Sequence, residues 1–229
     1  LDAIEAAEEG KARERLMDLL IDIGDDAGRY IAARLPTAGA GLQRDLLAAL
    51  GRLGAVPAAL DPEPWVMHPE SLVRREAVRL FLKAPATRER TLLTALTDPD
   101  DRTVFLALSA AQEQCPAAGA AIIRQRVDDG ELDAALRSLG IRIVAGSAHD
   151  EATRQWLLAR VMTRTRWLRR KKLVPATPEV LAALSALAVF WKGDHDAGEA
   201  VNLAMKSRDA EVRQAVAQPR VTGAMRAVT

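Results

Sequence analysis

The stretch HPESLVRREAVRL, residues 68–80, decides the fold of this chain, because versions of it recur along the sequence. It returns as DPDDRTVFLAL at residues 98–108 and as SRDAEVRQAV at residues 207–216. A repeat of roughly 30 residues is typical of folds in which one small unit is copied along the chain. Each copy buries its apolar face against the next copy. The sequence therefore predicts a stack of similar helical units.

The composition favours helix over strand throughout the chain. Alanine and leucine dominate the 229 residues, and aromatic residues make up only 3%. The apolar share of 49% is large enough for a continuous core. The charges are balanced, with 32 basic and 31 acidic residues, so net charge exerts no general pull toward nucleic acid or membrane.

Cysteine content and hydropathy bound the cellular setting. The single cysteine, Cys115, excludes an internal disulfide framework and a multi-cysteine zinc site, and it favours a reducing, cytoplasmic location. The longest apolar stretch, residues 180–191, is too short for a transmembrane segment, and no secretory leader precedes the first helix. Because the chain begins with Leu1 rather than methionine, we expect a fragment of a longer protein.

Apolar periodicity and helix-stopping residues predict a succession of helices. The predicted bounds are 11–23, 30–35, 42–53, 56–60, 71–83, 88–97, 102–114, 117–127, 132–145, 151–170, 178–191, 197–206 and 210–217. Short helix-ending pairs such as Asp98-Pro99 separate these helices, and no flexible linker divides the chain. We therefore expect one continuous domain, 1–229.

The repeat is irregular at one place. The small residue of each unit is predicted at Leu47, Ala77, Ala107, Ala135, Ala183 and Ala215. The interval from Ala135 to Ala183 is about half a unit too long, and the extra length falls between Glu151 and Lys172. We expect function to lie where the period fails.

Residues 69–78 and 209–216 resemble the short HEAT-like repeats common in bacterial proteins. In both, an acidic or polar cap precedes a Val-Arg pair, followed by alanine and an apolar residue. Physical reasons support the pattern, because the arginine can pair with the acidic cap of an adjacent unit. The resemblance implies an all-α, right-handed α-solenoid (an alpha-alpha superhelix) of about six HEAT-like helical pairs. It also implies a non-catalytic scaffold or adaptor for protein–protein interaction, with no cofactor.

Two groups of residues are candidates for partner binding. In HEAT geometry the second helix of each pair lines the concave groove. Arginines on these helices would then form a basic ridge that faces an acidic protein partner: Arg88, Arg90, Arg124, Arg126, Arg154 and Arg160. The second group is a basic run without acidic residues, containing Arg160, Arg164, Arg166, Trp167, Arg169, Arg170, Lys171 and Lys172. This run has three interpretations: the solvated end of a long helix, a surface for an acidic protein or lipid, or a phosphate-binding surface for nucleic acid.

One enzymatic class resembles this pattern. Some DNA glycosylases consist of HEAT-like helical pairs with tryptophans, an aspartate and basic residues in a concave groove. Here Trp156, Trp167, Arg160 and Arg164 could line such a groove, but no matching catalytic aspartate can be placed. We therefore predict no catalytic residues and no enzyme activity, and keep nucleic-acid binding as the alternative function.

Two other chemical motifs have structural interpretations. Asp194-His195-Asp196 is interpreted as a turn in which Asp196 caps the following helix, rather than as a metal site. Cys115, which precedes Pro116 at a helix end, is interpreted as a buried filler rather than a nucleophile.

Overall fold

The structure, a computed structural model, describes residues 11–22, 25–54, 56–58, 60–164 and 171–219. These residues are mostly helical, which confirms the prediction of an all-α protein. Internal contacts divide the chain into two units, 1–107 and 108–229. Each unit is described by itself below. The expectation of one continuous domain stays a prediction.

The first unit consists of helices and one short 3-10 turn. Its elements are α1 (Lys11–Asp22), α2 (Asp25–Arg34), the 3-10 turn Leu35–Thr37, α3 (Ala40–Leu53), α4 (Glu63–Val66), α5 (Ser71–Phe81) and α6 (Pro85–Leu96). Helix α7 (Asp101–Ala111) contains the boundary between the units. Helix α3 packs against α5, and α5 packs against α4 and α6. Fully buried leucines such as Leu46 and Leu92, together with Phe81, form the core.

The second unit is arranged around one apolar helix. Its elements are α8 (Ala117–Asp129), α9 (Ala134–Ser147), α10 (Glu151–Val161), β1 (Met162–Arg164), β2 (Lys171–Leu173), α11 (Pro178–Phe190), α12 (His195–Met205) and α13 (Ala210–Ala217). Helix α11 packs against α9, α10, α12 and α13. This packing explains why residues 182–187 are all buried. No helix in the described ranges has the length and apolarity needed to cross a membrane.

Several helices begin with the same arrangement of side chains. The N-cap is acidic at Glu70, Asp133, Asp150 and Asp209, and the three aspartates accept a backbone N–H from the first turn. Three residues after each cap is a buried side chain: Val73, Leu136, Thr153 and Val212. Four residues after each cap is an arginine: Arg74, Arg137, Arg154 and Arg213. The aspartate caps satisfy a free backbone donor and the third position enters the core, while the arginine is half-buried in the first three cases and exposed at Arg213.

The prediction of a helix over 151–170 is wrong. Helix α10 ends at Val161, and Met162 is already extended, with φ −122° and ψ 135°. Strands β1 and β2 then form an antiparallel hairpin with the register Met162↔Leu173, Thr163↔Lys172 and Arg164↔Lys171. β-Branched Val161 and Thr163 favour the extended chain here. Residues 165–170, which include Arg166, Trp167, Arg169 and Arg170, lie outside the described residues.

The short predicted helix over 56–60 is also wrong. Residues 56–58 and 60 are not helical, because Pro57 disfavours a helical conformation at Val56. The helix at this place is α4, which follows Pro62. The other predicted helices are present with ends shifted by a few residues. The largest shift is at α2, which begins at Asp25 rather than at Tyr30.

The predicted small residues are correct in part. Ala77, Ala107 and Ala183 are fully buried, whereas Ala135 is exposed and is therefore the wrong residue. Gly140 is buried in its place, and a Cβ there would lie 2.8 Å from Cγ2 of Ile123 on α8. The backbone of α9 thus approaches α8 more closely than any side chain at this position would allow.

The irregular interval has a simple cause in the structure. The caps Asp133 and Thr177, which start α9 and α11, are 44 residues apart, whereas Thr177 and Asp209 are 32 apart. The hairpin from Met162 to Leu173 occupies 12 residues of the longer interval. Without these 12 residues the two intervals are equal, so the length of the hairpin accounts for the difference.

Candidate functional site

The arginine that follows an acidic cap connects two successive repeats in the first unit. Arg74 donates Nη1 to the carbonyl oxygens of His68 and Pro69, both at 2.9 Å, and so closes the loop before its own helix. Its Nε and Nη2 donate to the carboxylate of Asp98 at 2.7 and 2.9 Å. This bidentate pair is almost buried, since the side chains of Arg74 and Asp98 are 11% and 4% exposed. The next residue, Arg75, binds Asp100 in the same way.

The second unit contains two more of these connections. Arg137 donates to the carbonyl oxygen of Leu132 and binds the carboxylate of Glu179 at the start of α11, with Nε 2.8 Å from Oε1. Arg154 binds Asp194, the N-cap of α12, and Glu151 in its own first turn. We use the word rung for such a contact, in which an arginine binds an acid at the start of a later helix. In the pairs Arg75–Asp100 and Arg154–Asp194 the acid is itself a helix cap, as the sequence predicted, whereas Asp98 precedes the cap Asp100 and Glu179 follows the cap Thr177.

The rungs perturb the protonation of their acids. Hydrogen bonds from Arg75 and, to a smaller extent, Thr103 hold the pKa of Asp100 far below its ordinary value, although partial burial opposes them. The pKa of Asp194 is also lowered, first by the backbone N–H of Ala197 and then by Arg154. Both carboxylates are therefore charged throughout the physiological pH range.

The arginines of the predicted ridge take part in contacts within each unit. In the first unit, Arg90 pairs with Asp61 at 2.6 Å and Arg88 donates to the carbonyl oxygen of Leu82 at 3.1 Å. In the second unit, Arg126 pairs with Glu131 at 3.2 Å. Arg154 forms the rung to Asp194 described above. The charge of these side chains is thus largely balanced inside the chain.

The remaining two ridge arginines surround a buried tryptophan. The guanidinium carbons of Arg124 and Arg160 lie 5.4 and 3.9 Å from the ring centroid of Trp156, within the range of cation–π attraction. The indole Nε1–H donates to Asp128 at 2.8 Å, and Arg160 also binds Asp128. Trp156 is only 5% exposed. The ring ties α10 to α8 and is not free to stack on a ligand.

The hairpin follows directly after this cluster. Its inner pair, Met162 and Leu173, is half-buried, and its next pair, Thr163 and Lys172, is exposed. The backbone N–H of Val174 donates to the carbonyl oxygen of Val161 at 3.0 Å and extends the pairing by one step. Strand β2 also packs against α12. The hairpin is thus anchored at its base and carries Lys172 into solvent.

The residues around His195 offer a set of possible metal ligands. Ligand atoms of His195, Asp196 and Glu199 lie within 4.8 Å of one another. Two features oppose a cation there: the positive end of α12, and Arg154, whose Nη1 is 3.8 Å from Asp196. The predicted cap, Asp196, is wrong, because it is Asp194 that accepts the N–H of Ala197 at 2.8 Å.

Cys115, Arg142 and Ser147 line a cavity of about 180 Å³ in the second unit. The thiol is half-buried, and burial raises its pKa. A raised pKa lowers the fraction of thiolate, which is the nucleophilic form. The predicted burial of Cys115 is thus only partial, and its non-catalytic role stays a prediction.

Comparison with known proteins gives a likeness in fold only. No family model and no curated protein matches the chain. Among solved structures, the crystal structure of an engineered protein from the Northeast Structural Genomics Consortium is similar, with a TM-score of 0.51 and 16% sequence identity. The match covers 93% of this chain and 65% of that one, so the chain spans less than two thirds of that protein. At this low identity the likeness concerns the fold alone.

Proposed function

We propose that the protein is a non-catalytic scaffold or adaptor, built as a right-handed α-solenoid of about six HEAT-like helical pairs that is continuous over 1–229. In this proposal it holds an acidic protein partner. The observation that carries the proposal is the repeated helix start, in which an acidic cap, a buried third residue and an arginine recur in both units. A stack of repeats requires contacts that join each repeat to the next, because its stability comes from the interfaces between neighbouring repeats.

The regular period supports the same proposal. Helix starts at Glu70, Asp100 and Asp133 are separated by 30 and 33 residues, and those at Thr177 and Asp209 by 32. These steps match the length of one helical pair in repeat proteins. With the hairpin set aside, the described helices from α5 to α13 follow one period.

We place the partner-binding surface at the inserted hairpin. The arginines of the predicted basic ridge pair with acids of the same unit or pack around Trp156. This ridge therefore retains little uncompensated charge. By contrast, the segment of the hairpin, residues 162–173, contains six basic residues and no acid. An insertion that carries unbalanced charge is suited to contact a partner, since it can change without disturbing the stack.

Nucleic-acid binding is the alternative, supported by that same basic run, which could neutralise several phosphates. A glycosylase-like groove is less well supported, because Trp156 is buried and donates its N–H to Asp128. The indole is therefore committed to packing between α8 and α10.

The test is affinity capture from the native cell, with and without nuclease treatment. The variants are Lys172→Glu on the hairpin and, as a charge-matched control, Lys192→Glu, an exposed lysine of the same unit. We expect the native chain and the control to capture an acidic protein irrespective of nuclease, and Lys172→Glu to lose it. Capture that disappears after nuclease treatment, together with salt-sensitive binding to purified DNA or RNA, would establish the alternative instead.

A further inference from the structure

Three arginines of the repeats adopt one common geometry. Arg74, Arg137 and Arg213 each lie four residues after an acidic cap. Each donates Nη1 to one or two carbonyl oxygens five or six residues earlier. The Nε–Nη2 edge of such a side chain then points away from its own loop. At Arg74 and Arg137 this edge binds an acid at a later helix start.

The edge of Arg213 is the exception. Its Nη1 binds the carbonyl oxygens of Ser207 and Arg208 at 2.7 and 2.9 Å, as in the other cases. Within the described part of the chain, however, no carboxylate reaches its Nε–Nη2 edge, and the side chain is exposed. A planar guanidinium held in this position is prepared for bidentate binding of a carboxylate. Arg213 is therefore held by its own loop, but no acid among the described residues completes the rung.

The charge of the chain indicates what could complete this rung. Residues 206–226 carry five basic and two acidic residues, whereas residues 2–26 carry nine acidic and three basic residues. Helix α2 opens with Asp25-Asp26, the same kind of acidic helix start that fills the other rungs. Asp26 is 70% exposed, and among the residues that the structure describes it pairs with Arg29, itself 80% exposed.

We propose that Arg213 of one copy binds the acidic start of α2, at Asp26, in a second copy of this chain. The two surfaces differ, so the association is head to tail and can continue from copy to copy. The contact would extend the rungs of the repeats from one molecule to the next. This proposal is independent of the partner proposed for the hairpin.

Sedimentation velocity of the full chain tests this association. At about 50 mM salt we expect the average mass to rise above the monomer mass of 24.8 kDa as concentration increases. Raising the salt to about 500 mM should weaken the association, because the contact lies at the surface. Arg213→Glu and Asp26→Arg should each raise the apparent dissociation constant by about tenfold or more, whereas Lys192→Glu should not.

Mixing the two variants makes the test specific. Each single variant places like charges at the contact, but an equimolar mixture of Arg213→Glu and Asp26→Arg restores opposite charges and should restore association. A loss of association in Asp26→Arg could not be explained by misfolding of α13, because Asp26 lies in the other unit. A chain that sediments as a monomer at every concentration in low salt overturns the proposal. So does association that neither substitution changes.

Discussion

Arg154 Nη1 lies 2.7 Å from each carboxylate oxygen of Asp194, although the two residues are forty positions apart in the chain. The same carboxylate accepts the backbone N–H of Ala197 and so caps α12. One aspartate therefore satisfies a free donor at a helix start and also joins that helix to α10. Asp100, which binds Arg75 and accepts the backbone N–H of Thr103, has the same double use.

The rung between Arg74 and Asp98 should contribute far more stability than a surface ion pair. Substitution Asp98→Ala leaves an almost buried guanidinium without its partner, which is expected to lower the free energy of unfolding by about 3–5 kcal/mol. The matched control is Asp61→Ala: Asp61 and its partner Arg90 are 59% and 57% exposed, so its loss should lower the free energy of unfolding far less. Urea unfolding of both variants measures the difference. Equal losses would show that the rung is not a structural connection.

Gly140 should tolerate no side chain. In Gly140→Ala the new Cβ would lie 2.8 Å from Ile123 and 3.1 Å from Val127, so α8 and α9 must separate. We expect a loss of about 1–3 kcal/mol by thermal or urea unfolding. Gly198→Ala, in α12 of the same unit, meets no atom within 4 Å and should instead stabilise the protein by about 0.5–1 kcal/mol. A stable Gly140→Ala variant would refute the close approach of the helices.

Acid should weaken the first unit partly through Asp100. Its pKa in the folded state is held far below the unfolded value of about 3.9 by Arg75 and Thr103. The unfolded state therefore binds more protons, and stability should fall as pH decreases below about 4. In Asp100→Asn this contribution is absent, so the plot of unfolding free energy against pH between about 2 and 4 should be flatter. An unchanged slope would contradict the assignment.

Trp156 should act in packing and not in ligand binding. Trp156→Phe keeps most of the ring but removes the hydrogen bond to Asp128, and we expect it to cost about 1–2 kcal/mol of stability. Binding of any captured partner, or of DNA, should be unchanged at a temperature where the variant is folded. Loss of binding without loss of stability would instead indicate that the indole contacts a ligand.

Much of the helical pattern could be predicted because it depends on local signals. Apolar spacing and helix-stopping residues located α5, α11 and α13 within two residues at each end. Val73 and Val78, the two valines of the repeated pattern in α5, are buried. The expected pairing of an arginine with a later acidic cap is present at Arg75 and Asp100. These features are set by residues close together in sequence, or by a charge pair with a repeated spacing.

The errors arose where tertiary contacts decide. Ala135 was chosen because alanine fits the repeat pattern, yet the cap Asp133 and the pair Leu136-Arg137 define the true alignment. The extra length was placed correctly between Glu151 and Lys172 but was interpreted as helix. Basic residues favour helix by propensity, whereas cross-strand pairing and the contact with α12 stabilise the hairpin.

The most direct test concerns the hairpin, because we propose that the hairpin binds the partner and that the helices around it form the scaffold. Residues 162–173 can be replaced by Asn-Gly, a turn suited to joining paired chains, since Val161 and Val174 are already hydrogen bonded. Thermal unfolding and nuclease-resistant capture of the acidic partner are then measured on the same variant. The account predicts cooperative unfolding, with a loss of about 1–3 kcal/mol for two half-buried side chains, and complete loss of capture. A variant that no longer folds, or one that still captures the partner, would contradict it.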